Sequence, residues 1–192
     1  MLVSGALSLT PSAGVVWYGG RGVFGGGSGS LNTIEYVTIA TPGNSTDFGD
    51  LTVGRTGPAG VSNGSRGVFG AGEDSANALR DTIDYITIAT TGNATDFGNT
   101  ISAKNYNSGC SDGTTGVFGG GAGGGDVNVI QYITISTIGD ALDFGDLSTG
   151  RSGIGACSDG TKGVFGGGWS GAYSNVIEYI TISTTGNATD FG

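Results

Sequence analysis

The chain has 192 residues, which suits one domain, and its seven basic and sixteen acidic side chains give a net charge of −9. That balance disfavours a phosphate-neutralising groove and hence nucleic-acid binding. With no histidine the usual nucleophilic triad is excluded, and a transition-metal site would rest on two cysteines and carboxylates. Charged residues make up only 12%, about half the usual share, so Ser, Thr, Asn and Gly must cover much of the surface. Leu, Ile, Val and Phe total 43 residues, just above the level at which a packed core becomes doubtful, so periodicity has to decide between folded and disordered. There is no apolar run of about 18 residues and no basic-then-apolar leader; Met1-Leu-Val-Ser is short and polar. A soluble protein made in a cytoplasm, without membrane insertion, is the expectation.

Residues 1–21 read as a diverged half-repeat. Leu7-Ser-Leu-Thr10 aligns with Leu51-Thr and Ile101-Ser, and Pro11 to Gly20 takes the place of Thr56 to Ser65. Trp17-Tyr18-Gly19-Gly20 there replaces the turns of the later copies. Next comes a phrase written four times: Gly22-Val-Phe-Gly-Gly-Gly27, Gly67-Val-Phe-Gly-Ala-Gly72, Gly116-Val-Phe-Gly-Gly-Gly121 and Gly163-Val-Phe-Gly-Gly-Gly168. A β-branched run around one tyrosine follows each copy (Tyr36, Tyr85, Tyr132, Tyr179), and each unit ends in Asp-Phe-Gly. From the Tyr to the Phe of Asp-Phe-Gly is twelve residues every time, and from that Phe to the next Gly-Val-Phe phenylalanine is twenty-one. Only the stretch between the Gly-Val-Phe phenylalanine and the Tyr varies, at 12, 16, 14 and 14 residues. Three connections therefore belong to a scaffold and one is free to differ.

The Asn63-Gly64, Asp112-Gly113 and Asp159-Gly160 pairs predict two-residue type I′ hairpins joining a short strand to the Gly-Val-Phe strand. Val16, Val61, Cys110 and Cys157 occupy one repeat position in that short strand, eight residues before the Phe. Both cysteines are accordingly expected as buried free thiols, not as a disulfide. The tyrosine strand, fullest in Val176-Ile-Glu-Tyr-Ile-Thr-Ile-Ser183, carries apolar residues on both faces, as in a sheet packed on both sides. Asp-Phe-Gly-Asp-Leu is a short outer strand, and Gly interrupts every window in which a helix would have to form. Each unit is thus predicted to be a four-stranded antiparallel sheet that cannot bury itself and must stack on its neighbours, radially in a propeller or linearly in a solenoid. The units run over about 11–50, 51–99, 100–146 and 147–192, in a single domain spanning 1–192.

The repeat resembles the kelch motif: an apolar strand ending in a double glycine, a Tyr in the next strand, an aromatic in the outer strand, and Arg55 or Arg151 as the next unit opens. The outer aromatic here is Phe48, Phe97, Phe144 or Phe191 where kelch repeats usually carry Trp, and Lys104 and Thr10 stand in for the Arg in two units. The resemblance implies an all-β, kelch-like propeller of four four-stranded blades. The last repeat stops just after Asp-Phe-Gly, while Leu7 to Thr10 matches the tail that follows it elsewhere. Pairing of these segments closes a four-bladed ring in cis, or links subunits head to tail in trans into a larger ring or solenoid, so a homo-oligomer is one outcome. Phrases such as Tyr-Ile-Thr-Ile-Ala-Thr-Thr-Gly-Asn-Ala-Thr-Asp-Phe-Gly are similar to kelch-type repeats of structural and tail-associated bacteriophage proteins. This implies a non-enzymatic virion component whose partners are other virion proteins or a host surface glycan. A cellular interaction scaffold and an enzyme using the propeller channel are the alternatives.

No residue set points to catalysis, a cofactor or a metal. The glycine-rich phrases lack the helix N-terminus and lysine of a phosphate loop, so close strand packing is expected of them. Glu35, Asp84, Gln131 and Glu178 share one slot, where pairing with Arg or backbone N–H between sheets is expected. Asp47, Asp96, Asp143 and Asp190 are expected to cap turns, and the Asn-x-Thr triplets at 44, 93 and 187 to be turn residues. Binding candidates fall in the variable loops: Glu73, Asp74 and Arg80 in 70–82, Asp126 in 119–129, and Trp169 and Tyr173 in 166–176. The two aromatics suit stacking on a sugar or anchoring a partner, with Trp169 as a core cap between sheets the other possibility.

Overall fold

The computed structural model describes residues 20–192, and its strands form four antiparallel sheets in chain order. The first holds β1 (Arg21–Gly25), β2 (Thr33–Thr38) and β3 (Thr46–Asp50). The second holds β4 (Ala59–Ser62), β5 (Arg66–Glu73), β6 (Leu79–Thr87) and β7 (Thr95–Asn99). The third holds β8 (Ser108–Ser111), β9 (Thr115–Gly119), β10 (Val129–Thr134) and β11 (Leu142–Asp146). The fourth holds β12 (Gly155–Ser158), β13 (Lys162–Gly166), β14 (Ile177–Thr181) and β15 (Thr189–Asp190). Three sheets thus have the predicted four strands and the first has three among the described residues. Leu7 to Thr10 and the Trp17-Tyr18 segment lie outside the described residues. Among the described residues no helix is long and apolar enough to cross a membrane.

The constant spacings have a packing cause. The twelve residues between Tyr and Phe lead round one hairpin and bring the two rings edge to face: Tyr36 and Phe48 at 6.0 Å between centroids, Tyr85 and Phe97 at 6.1 Å, Tyr132 and Phe144 at 6.0 Å, Tyr179 and Phe191 at 5.9 Å. Such a pair adds about 0.5–1.5 kcal/mol to the burial of its rings. The glycine after each Phe answers to the neighbouring sheet. Gly98 sits at φ +145°, and a Cβ there would stand 2.5 Å from the carbonyl oxygen of Gly139. The Gly139 N–H donates to the Phe97 carbonyl at 2.9 Å, so the outer strand of one sheet is tied to a turn of the next.

The Gly-Val-Phe phrase joins the sheets. Each Phe lies over the glycine that follows the Phe of the preceding sheet: Phe69 over Gly25, Phe118 over Gly70, Phe165 over Gly119. A Cβ on Gly119 would meet the Phe165 ring at 2.8 Å, which explains the glycines as close packing. The short first strands run side by side, with the Ser111 hydroxyl donating to the Ser62 carbonyl at 2.8 Å and the Ser158 hydroxyl to the Ser111 carbonyl at 2.5 Å. No backbone hydrogen bond or salt bridge joins the first sheet to the fourth among the described residues.

Three local expectations are corrected. The hairpins turn on Gly64-Ser65 and its counterparts, with positive φ at the glycine alone, because the Asn63 side chain accepts from the Arg66 N–H at 2.7 Å in place of its own carbonyl. Asp112 and Asp159 act in the same way. The caps between sheets come from Asn93, Asp140 and Asn187, whose side chains accept from the N–H of Asp50, Asn99 and Asp146. Asp47, Asp96, Asp143 and Asp190 are instead exposed at the sheet edge. Finally, Cys110 is buried against Gly163 with its thiol pushed up to about 12 by burial, whereas Cys157 is exposed because no described sheet covers its face.

Candidate binding rim

Antiparallel pairing puts the variable loops 26–32, 74–78, 120–128 and 167–176 at one end of the sheets, together with the linkers 51–58, 100–107 and 147–154. Beneath this rim lies a layer of buried polar side chains. Arg55 donates to Asp84 at 2.6 Å, and Asp84 also accepts from the Thr52 hydroxyl at 2.6 Å. Arg151 is bonded to Glu178, which accepts from the Ser148 N–H at 2.8 Å. Burial lowers the pKa of Arg55 while Asp84 opposes the shift. In the second and fourth sheets the acidic slot is therefore paired with the Arg of the linker that leads into the same sheet, where a pair between sheets was expected, and Glu35 in the first is exposed.

The third sheet departs from this arrangement. There Lys104 and Gln131 replace the pair; Gln131 accepts the Ile101 N–H at 2.7 Å, and Lys104 Nζ, fully buried, makes no hydrogen bond among the described residues. Burial pushes Lys104 down to about 8. Between that value and the ordinary lysine range the unfolded chain holds a proton that the folded one has released, so stability rises with pH. Denaturation followed from about pH 7 to about pH 10 is expected to show a gain of roughly 2–3 kcal/mol, absent from a Lys104→Met variant. A difference between the two proteins that does not change with pH would refute this reading.

Above the layer, the residue after each buried cation bridges to the position four residues beyond the Gly-Val-Phe phenylalanine: Thr56 to Glu73, Asn105 to Ala122, Ser152 to Trp169. That position is Ser28, Glu73, Ala122 and Trp169 in the four units, one scaffold site with four different side chains. The structure divides the sequence candidates between two neighbourhoods. In the first, Asp74 accepts from the N–H of Ala76 and Ala78 and pairs with Arg80. The Ala78 N–H, then Arg80, hold its carboxyl below the ordinary range. Glu73 accepts from the Asn105 amide at 2.6 Å. Asp74 and Arg80 thus shape their own loop, and Glu73 ties it to the 100–107 linker.

In the second, Trp169 and Tyr173 stack edge to face at 5.1 Å, exposed by 44% and 91%. Trp169 is thus at the surface and does not cap a core between sheets. The Ser152 backbone is paired with Trp169 in both directions, and its hydroxyl donates to the exposed Asp126 carboxylate at 2.7 Å. Two aromatic faces, a carboxylate and a hydroxyl are therefore brought together from three segments. Thr56, Asn105 and Ser152 were missed by sequence reasoning, although each follows the repeat Arg or Lys and the alignment contains that signal. Two shallow grooves, of about 330 and 200 Å³, lie at the opposite rim between the tyrosine strands and the following turns, away from every candidate.

No protein-family model matches this chain, and no curated protein matches it.

Proposed function

We propose that the chain is a non-enzymatic binding module of a phage virion, a kelch-like propeller array that presents its loop rim to a host surface glycan. The observation that carries this reading is the Trp169–Tyr173 pair, exposed beside the Asp126–Ser152 hydrogen bond. Aromatic faces stack on the apolar face of a sugar ring, and an adjacent carboxylate and hydroxyl take its hydroxyl groups. Support for the propeller comes from short first strands running side by side, and support for the virion from the kelch-type and phage-like repeat phrases.

Binding to a glycan array by the whole chain tests it. Trp169→Ala is expected to weaken the best-bound glycan at least about tenfold while leaving the melting temperature unchanged. Retention of every bound glycan by a Trp169→Ala, Tyr173→Ala double variant removes the site. Binding to another virion protein through the same two aromatics, with no glycan bound, replaces the glycan by a protein partner.

A further inference from the structure

The two end faces of the sheet array are halves of the junction used between neighbouring sheets. On the first sheet Phe24 is 36% exposed, although its counterparts Phe69, Phe118 and Phe165 are 4%, 0% and 0% exposed. Ile39 is 60% exposed while Ile88, Ile135 and Ile182 are buried. On the fourth sheet the complementary elements are bare among the described residues. Gly166 is the glycine that should lie under a Phe, and of the described residues a Cβ there would meet only its own sheet's Ile177 at 3.6 Å. Phe191 is 57% exposed, whereas Phe48, Phe97 and Phe144 are buried.

The polar and small-residue contacts match as well. Val61 and Cys110 pack against Gly116 and Gly163 of the following sheet, and exposed Cys157 stands at the same position relative to Gly22 of a following first sheet. Arg21 and Arg66 donate to the carbonyls of Ile88 and Ile135 one sheet further on, and Lys162 holds the equivalent place relative to Ile39. We infer that the fourth sheet of one chain docks on the first sheet of a second copy, Phe24 of the one seated on Gly166 of the other. Such a junction is heterologous, so it propagates into a ring if its rotation closes and into a filament if not.

Sedimentation of the 192-residue chain is expected to show species larger than a monomer, growing with concentration. Phe24→Asp removes one half of the junction and Gly166→Val the other, the added Cβ of the latter standing 3.6 Å from Ile177, its nearest neighbour among the described residues; each alone is expected to be monomeric with an unchanged circular dichroism spectrum. Because each retains the opposite half, an equimolar mixture is expected to form a dimer and stop there. Alkylation of Cys157 is expected to slow by at least about tenfold on assembly. A wild-type monomer at every concentration overturns the inference: with Cys157 protected, the chain covers its own face; with Cys157 reactive, the face takes no second copy. Assembly that survives both substitutions, or variants that fail to complement, overturns it equally.

Discussion

Replacing Asp84 by alanine is expected to destabilise the fold by about 3–5 kcal/mol, against a total of about 5–15 kcal/mol for an ordinary domain. Asp84 and Arg55 are both fully buried, and the carboxylate accepts from the guanidinium at 2.6 Å and from Thr52 through hydroxyl and backbone. Alanine leaves the buried guanidinium with the carbonyls of Thr82 and Phe69 as its acceptors among the described residues. The double variant Asp84→Leu, Arg55→Met removes both charges and is expected to lose less than the single substitution. Glu178→Ala is expected to behave like Asp84→Ala, since Arg151 is buried in the same way. The measurement is the urea midpoint at unchanged slope. A loss below about 1 kcal/mol for Asp84→Ala would show that the pair is dispensable.

Phe118→Ala is expected to cost about 3–5 kcal/mol, because the ring is fully buried over Gly70 and its removal opens a void between the second and third sheets. Phe24→Ala, at the same repeat position but at the bare end of the array, is expected to cost less than about 1 kcal/mol in a chain kept dilute enough to be monomeric. Equal costs at the two positions would mean that the junction does not depend on the ring. The comparison is internal, since both residues follow Val in a Gly-Val-Phe strand; Phe118 has a preceding sheet beneath it and β8 beside it, and Phe24 has neither among the described residues.

The strands and their order were legible because each is tied to a residue whose spacing never changes. The intervals from Tyr to Phe and from Phe to the next Phe are the lengths of a hairpin and of a sheet-to-sheet crossing, and β-branched residues fill what lies between. The buried acid slot was legible for the same reason, with the Gln131 exception already visible as a substitution in the repeat. Properties that depend on a sheet's place in the array were not. Cys110 and Cys157 are equivalent by alignment, yet one is buried and the other exposed, because a next sheet covers only the first. The hairpin type was misplaced by one residue, because the Asn or Asp side chain takes over its own carbonyl's hydrogen bond, a choice that no pair of letters announces. At the rim, the aromatic loop was found from its composition, while Ser152, which ties it to Asp126, looked like scaffold.

The recurrence of one junction, a phenylalanine seated on a neighbour's glycine, bears on how such a gene changes. Every boundary between units makes nearly the same fit, so a duplicated or deleted copy meets an acceptable neighbour on either side without new mutations. Unequal recombination within the coding sequence would therefore alter the number of rim loops by whole units, each bringing its own residue four places beyond the phenylalanine, as Ser28, Glu73, Ala122 and Trp169 do here. Variation of the rim loops and preservation of the core are then no longer competing demands on the same residues.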